Sequence, residues 1–221
     1  MRSCIPVPKI ENDCYDWYLR HEEKCRAVRR EQYKAVLIGD SITHFWSGES
    51  GADHGSQVWR EMTAGLPVLN LGYGFDRTQN VLWRLAHGEL AGQSPELVVI
   101  NIGTNQFSVT ENYSGDTPEV AAAGVRRVWD TVRAMAPDAA IVAMALFPRG
   151  GKLTEITRVN RLLHEAAAGR DDLTLLDLSA QLGGPTGEPN PVNYQEDLCH
   201  LAEPGYRLWY AALRPFFMKI K

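Results

Sequence analysis

The chain has 221 residues, enough to bury a large core in one compact domain. Apolar residues make up 44% and charged residues 23%, ordinary globular values that exclude a disordered or low-complexity chain. Lys and Arg number 23 against 27 Asp and Glu, a net charge of −4 with no long run of one sign, which speaks against a nucleic-acid partner or a membrane surface.

The first residues, "MRSCIPVPKIENDC", lack the apolar core of a signal peptide, so a cytoplasmic protein is expected, with secretion left open if a leader was trimmed. Cys4, Cys14 and Cys25 lie in the first 25 residues without CxxC spacing, and Cys199 lies near the end. This is neither a zinc signature nor a disulfide framework, although one N-terminal disulfide stays open. Residues 13–33 read as a helix, and "RAVRR" at 26–30, flanked by acids, reads as its solvated face. Residues 1–33 are therefore expected to form a helical extension packed on the same domain as the rest.

The first strand is expected at "AVLIG" (35–39) and the second at "PVLNLG" (67–72). A helix follows over 77–90, then a third strand at "ELVVINIG" (96–103). Val125, Val128, Val132 and Met135 recur at helical spacing in 118–136, with Pro118 suited to a first turn. A fourth strand is expected at "AAIVAMALF" (139–147), a helix over 153–168, and a fifth strand at "LTLLDL" (173–178). The Gly/Pro-rich stretch 182–193 reads as a long surface loop, and 204–220 as a last helix. Short strands without alternation suit the centre of a parallel sheet, and alternation with helices implies βαβ units. The expectation is a three-layer α/β/α, flavodoxin-like domain of about five strands spanning 1–221.

Ligands of such sheets bind beyond the carboxyl ends of the strands. The segments there are "GDS" (39–41), "GYGFDRT" (72–78), "GTNQ" (103–106), "PRGGK" (148–152) and the loop leading to "DLCH" (197–200). All are polar or glycine-rich and would meet at one edge. Serine needs an adjacent base to act as a nucleophile, and the base needs an orienting partner. Asp197 and His200, three apart on one side of a turn, could supply both to Ser41. The Asn105 side-chain amide and the backbone amides of Ser41 and the 72–76 loop could hold an oxyanion. No G-x-S-x-G elbow occurs, so the usual α/β-hydrolase arrangement is not indicated.

Gly-Asp-Ser near the start, Gly-Thr-Asn mid-chain and Asp-x-x-His near the end, in that order, resemble the SGNH or GDSL-type hydrolases. "NVLWRLAHGEL" (80–90), "VVINIGTNQ" (98–106), "LFPRG" (146–150) and "LCHLAEPGY" (198–206) are similar to the branch with the catalytic subunits of platelet-activating-factor acetylhydrolase. The resemblance implies Ser41 as nucleophile, His200 as base and then acid, Asp197 as its orienting partner and Asn105 as an oxyanion donor. The family usually takes a further donor from a glycine N–H directly before an Asp in the second block. Here Phe75 precedes Asp76, so Phe75 would have to hold a conformation that glycine adopts more easily, with Gly74 as the alternative donor. Phe75 would also wall the pocket.

Other residues carry two readings each. Asp40, Trp46 and Arg77 are candidate substrate contacts. Asp40 could instead bond nearby turn amides, Trp46 could be core, and Arg77 could cap its helix and pair with Asp76. His44 is near Ser41 in sequence but badly placed to face back, and Arg149 is either a site residue or structural. Cys199 beside Asp197 and His200 hints at a metal, but four ligands are not assembled, so no metal and no cofactor is expected. The resemblance implies a serine esterase removing short acyl groups, acetyl above all, from a small polar ester such as an O-acetylated carbohydrate, with a homodimer left open. The alternatives are a lysophospholipase or thioesterase with a longer acyl channel, and a non-catalytic flavodoxin-like binding module.

Overall fold

The computed structural model describes residues 1–49, 51 and 53–220. Each apolar run contains a strand: β1 (Ala35–Gly39), β2 (Val68–Gly72), β3 (Leu97–Asn101), β4 (Ala140–Met144) and β5 (Thr174–Leu176). They form one parallel sheet in the order β2-β1-β3-β4-β5. Eight α-helices accompany them among the described residues: α1 (Trp17–Arg30), α2 (Ser41–Trp46), α3 (Ser56–Thr63), α4 (Thr78–Ala86), α5 (Pro118–Met135), α6 (Leu153–Ala167), α7 (Ser179–Leu182) and α8 (Glu203–Phe217).

Strand side chains alternate between two cores. Val36, Ile38, Val98 and Ile100 pack with apolar residues of α1, α4, α5 and α6. Ala35, Leu37, Leu97 and Val99 pack with α2, α3 and α8, including Trp46 and Trp209. With both faces covered, the strands carry no polar face, which is why they read as continuous apolar runs. None of the helices among the described residues is long and apolar enough to cross a membrane, and all four cysteines are free.

The elements stop short of the apolar runs for local reasons. Asp16 accepts the Tyr18 and Leu19 N–H groups, so the first helix begins at Trp17 and residues 13–16 stay outside it. The third strand ends at Asn101 because Gly103, at φ 130°, turns the chain into a 3₁₀ helix, Thr104–Phe107. The stretch 182–193 is more ordered than a plain surface loop, since Gly183 bridges Pro189 and a 3₁₀ turn occupies Pro191–Asn193.

Register decides where the polar segments meet. Gly39 lies opposite Gly72 on one side and Asn101 on the other, so the chain leaves β1, β2 and β3 at one level. In this strand order the connections from β1 and β3 diverge to opposite directions across the sheet, which opens a crevice between them.

Candidate active site

Two glycines bring the first segment close to the sheet. A Cβ on Gly39 would fall 2.1 Å from Thr43 Oγ1 and 2.5 Å from the Asn101 carbonyl oxygen. One on Gly72 would fall 2.2 Å from the His44 backbone nitrogen. Without side chains there, α2 lies directly against the carboxyl edge and begins at Ser41. Asp40 caps it: its Oδ1 accepts the Ile42 N–H at 3.0 Å. Burial pushes the Asp40 carboxyl up to about 7, against the opposing pull of the Ile42 amide.

The last segment is a tight loop closed by a bridge between Tyr194 and Leu201. Leu198 sits at φ 51° within it, and its carbonyl accepts the Gly150 N–H at 2.8 Å, which ties this loop to the one after β4. Asp197 divides its two oxygens. Oδ1 accepts the Cys199 and His200 N–H groups, each at 2.9 Å, and Oδ2 meets His200 Nδ1 at 2.5 Å. Burial would raise the Asp197 carboxyl, but the bonds from the His200 ring and the two amides outweigh it and hold it below the usual carboxylate range. On the far side of the ring, His200 Nε2 lies 2.8 Å from Ser41 Oγ. With Nδ1–H donating to Asp197, Nε2 keeps a lone pair for the serine proton. The arrangement can therefore deprotonate a hydroxyl and return the proton to a leaving group.

Phe75 occupies a backbone conformation that glycine usually takes. It is the third residue of a turn closed by Asp76 N–H to the Tyr73 carbonyl at 3.2 Å, and its φ is 59°. No group among the described residues accepts the Phe75 N–H. Gly74 is different: its N–H donates to His44 Nδ1 at 3.3 Å, so it is spent and the alternative donor falls away. Asn105 donates one amide hydrogen to the Asp76 carbonyl at 3.1 Å, which leaves its second for a ligand. Ser41, at the first position of α2, has an N–H without an intrahelical acceptor. Ser41, Phe75, Asn105, Asp197 and His200 line one cavity of about 410 Å³.

The structure corrects three expected substrate contacts. Trp46 is fully buried, stacked on Tyr206 and Trp209 with ring centroids 5.0 and 4.4 Å away, because α2 must cover the sheet. Asp40 is 1% exposed and serves as the cap. Arg77 is fully buried and does not pair with Asp76. Its Nε donates to the Asn105 carbonyl at 3.0 Å, its Nη1 to Glu11 at 2.8 Å, and its guanidinium lies over the Tyr113 ring. Asp76 is held instead by Arg84 and by Trp17 Nε1, both at 2.7 Å. His44 is buried against Tyr15 and Tyr73, where burial first, and the charges of Arg20, Lys24 and Arg84 after it, push its ring down to about 2.

Other residues reach the cavity although sequence reasoning leaves them open or passes over them. Arg149 lines it and donates to the Thr104 carbonyl at 2.9 Å and to Ser108 Oγ at 3.1 Å, bracing the turn that carries Asn105. Cys199 lines it too, with burial pushing its thiol up to about 11. Phe45 lies against His200 at 5.1 Å between centroids, a contact foreshadowed only by the aromatics after Ser41. Asp13 comes from the N-terminal segment, and no motif marks it. Among the described residues no group of three His, Cys, Asp or Glu could hold a metal ion.

A doubly covered parallel sheet with a serine, an imidazole and a carboxylate hydrogen-bonded in series at its carboxyl edge defines a class of α/β ester hydrolases. The sequence matches the GDSL-like lipase/acylhydrolase family over residues 37–208. The chain belongs to that family and is a carboxylic ester hydrolase, which sets aside the non-catalytic binding module. It is 30% identical over 221 residues to platelet-activating factor acetylhydrolase IB subunit alpha1 of Homo sapiens, covering 97% of this chain and 88% of that protein. Identity to the alpha2 subunit of Rattus norvegicus is 27% over 210 residues, 92% of this chain and 84% of that protein. Among solved structures, a GDSL-like lipase of Bacteroides thetaiotaomicron has the same fold, with TM-score 0.71 and 17% identity over 91% of this chain and 97% of that one. So does an acetyl-xylooligosaccharide esterase from Geobacillus, with TM-score 0.62 and 21% identity over 86% of this chain and 95% of that one.

Proposed function

We propose that the protein is a serine esterase that removes acetyl or similarly short acyl groups from a small polar ester, such as an O-acetylated carbohydrate. The observation that carries this reading is the hydrogen-bonded series Asp197–His200–Ser41, at 2.5 and 2.8 Å, beside Asn105 and the unengaged Phe75 N–H. Ser41 Oγ attacks the ester carbonyl while its proton passes to His200 Nε2, and Asp197 steadies the imidazolium. The oxyanion takes hydrogen bonds from the Ser41 and Phe75 N–H groups and from Asn105 Nδ2. As the C–O bond to the alcohol breaks, His200 gives its proton to the departing alkoxide. Water then enters, loses a proton to His200 and attacks the acyl-serine. Ser41 recovers that proton, and the carboxylic acid leaves and ionises in water.

Two observations support a short acyl group. Phe75, where the family usually has glycine, borders the cavity beside an oxyanion donor. The relatives include proteins named acetylhydrolase and acetyl-xylooligosaccharide esterase. The carbohydrate half rests on a lining that sets an aromatic ring, Phe45, among charged side chains, Arg149 and Asp13. The test is Ser41→Ala on acetyl esters. Turnover should fall roughly a thousandfold or more with the fold intact by circular dichroism. Activity above about one per cent of the parent, well outside the loss expected for a nucleophile, would refute the assignment.

A further inference from the structure

Residues 11–17 lie against the 72–77 loop, and alternate residues reach it. Glu11 accepts from Arg77 Nη1 at 2.8 Å, the Tyr15 hydroxyl donates to the Gly74 carbonyl at 3.2 Å, and Trp17 Nε1 donates to Asp76 Oδ1 at 2.7 Å. Asp13 sits between these anchors. A Cβ on Gly74 would fall 1.7 Å from Asp13 Oδ2, so that oxygen lies over the Gly74 backbone, next to Phe75. Asp13 Oδ1 accepts the Cys14 N–H at 2.7 Å. Asp13 is half-buried, forms no ion pair among the described residues, and lines the cavity that holds Ser41 and His200. Anchors on both sides fix its place, yet no cation among the described residues pairs with it, and the backbone bond it accepts comes from its own neighbour, the Cys14 N–H.

We infer that Asp13 binds the alcohol half of the ester, and that this half is a neutral polyhydroxylated group such as a sugar ring. The inference rests on the esterase reading above. An ionised carboxylate is a pure acceptor with room for several hydrogen bonds, and adjacent hydroxyls can donate to it together. The sign of the charge selects among ligands. Asp13 and Arg149 line the same cavity, so it carries both a carboxylate and a guanidinium. A cationic alcohol satisfies the first and is opposed by the second, and an anionic one the reverse. A neutral polyol donates to Asp13 and accepts from Arg149 without opposition. The ring of Phe45, beside His200, offers apolar surface that the C–H face of a pyranose can cover.

The experiment compares specificity constants for singly O-acetylated methyl pyranosides, acetylcholine and p-nitrophenyl acetate on the parent enzyme, Asp13→Asn and Asp13→Ala. The expected result is a loss on the best pyranoside ester that exceeds the loss on p-nitrophenyl acetate by roughly tenfold to a hundredfold, the scale of a charge-assisted hydrogen bond. The loss should appear mainly in KM. Equal losses on both esters would make Asp13 a mere brace of the Phe75 loop and overturn the inference, as would no loss on the pyranosides. A larger loss on acetylcholine would make the site an ammonium site and overturn it equally. If the parent enzyme hydrolyses no ester, the esterase reading itself falls. Binding of methyl pyranosides by NMR, weakened by Asp13→Asn or indifferent to it, then decides the role of Asp13 on its own.

Discussion

Phe75→Gly separates what the second loop does for stability from what it does for specificity. Phe75 is 41% exposed, so replacing it forfeits only part of the burial a phenylalanine can give, about 1 to 1.5 kcal/mol. Glycine adds a conformational cost of about 0.5 to 1 kcal/mol in the unfolded chain. Against these stands relief of a left-handed conformation at φ 59°, about 1 to 2 kcal/mol for a residue with a Cβ. The terms nearly cancel, and the net change should lie within about 1 kcal/mol, a shift of roughly 2 to 4 °C in Tm for a chain of this size. Specificity should not cancel. If the ring closes the acyl side of the cavity, removing it lets longer chains enter, and each buried methylene then contributes up to ~0.8 kcal/mol. The octanoate-to-acetate ratio of kcat/KM, measured with p-nitrophenyl esters, should rise at least about tenfold over the parent. An unchanged ratio would show that the ring is no wall. A parent enzyme that prefers octanoate would refute the short-acyl reading and favour the lipase-like alternative. A Tm drop far beyond the stated range would show that the ring's packing outweighs the strain.

Asn105→Ala should lower kcat by roughly a hundredfold to a thousandfold with little change in KM, since the amide meets charge that develops in the transition state. A raised KM with kcat intact would make Asn105 a ground-state contact instead. Asp40→Asn addresses pH. The folded Asp40 carboxyl is raised from 3.8 to about 7, so the folded state holds its proton more tightly than the unfolded chain. Its contribution to stability is therefore complete below pH 3.8 and is lost as pH rises towards 7. Asparagine keeps an acceptor for the Ile42 N–H and cannot ionise, so denaturant unfolding at pH 4 and pH 8 should differ less in the variant, by as much as ~4 kcal/mol. An identical pH slope in both proteins would refute the raised carboxyl.

The sheet is legible in the sequence because its strands are covered on both faces. Runs such as "AVLIG" carry no polar partner and have no reading but a buried strand. The strand order follows less directly, since no residue of β1 announces that β2 and β3 take opposite sides of it. That Ser41, Asn105, Asp197 and His200 meet at one cavity is legible because each follows closely on a sheet edge or belongs to one short loop. What the sequence hides is direction. Trp46 and Arg77 belong to the same segments as site residues, yet the turn of α2 aims Trp46 into the core, and the cap of α4 sends Arg77 inward beneath Asn105. A residue type beside a motif says what chemistry is available and not which way the side chain points. Asp13 is hidden for another reason, because its place depends on partners about sixty residues away.

The second loop shows how such distant partners substitute for a glycine. A non-glycine residue at positive φ persists only where its surroundings over-determine it. Here the turn around Phe75 is held on every side. Tyr15 grips the Gly74 carbonyl, Trp17 and Arg84 grip the Asp76 carboxylate, and Asn105 grips the Asp76 carbonyl. Arg77, next in the chain, ties Glu11 of the N-terminal segment to the Asn105 carbonyl, so one buried guanidinium joins the segment beside the Phe75 turn to the turn that carries Asn105. A strain of about 1 to 2 kcal/mol is small against several hydrogen bonds worth about 1 kcal/mol or more each. The N-terminal segment, Arg84 and Asn105 together thus hold the loop with a ring at a position whose conformation glycine adopts more easily. The same contacts that hold Phe75 in place also carry Asp13 to the cavity lined by Ser41 and His200.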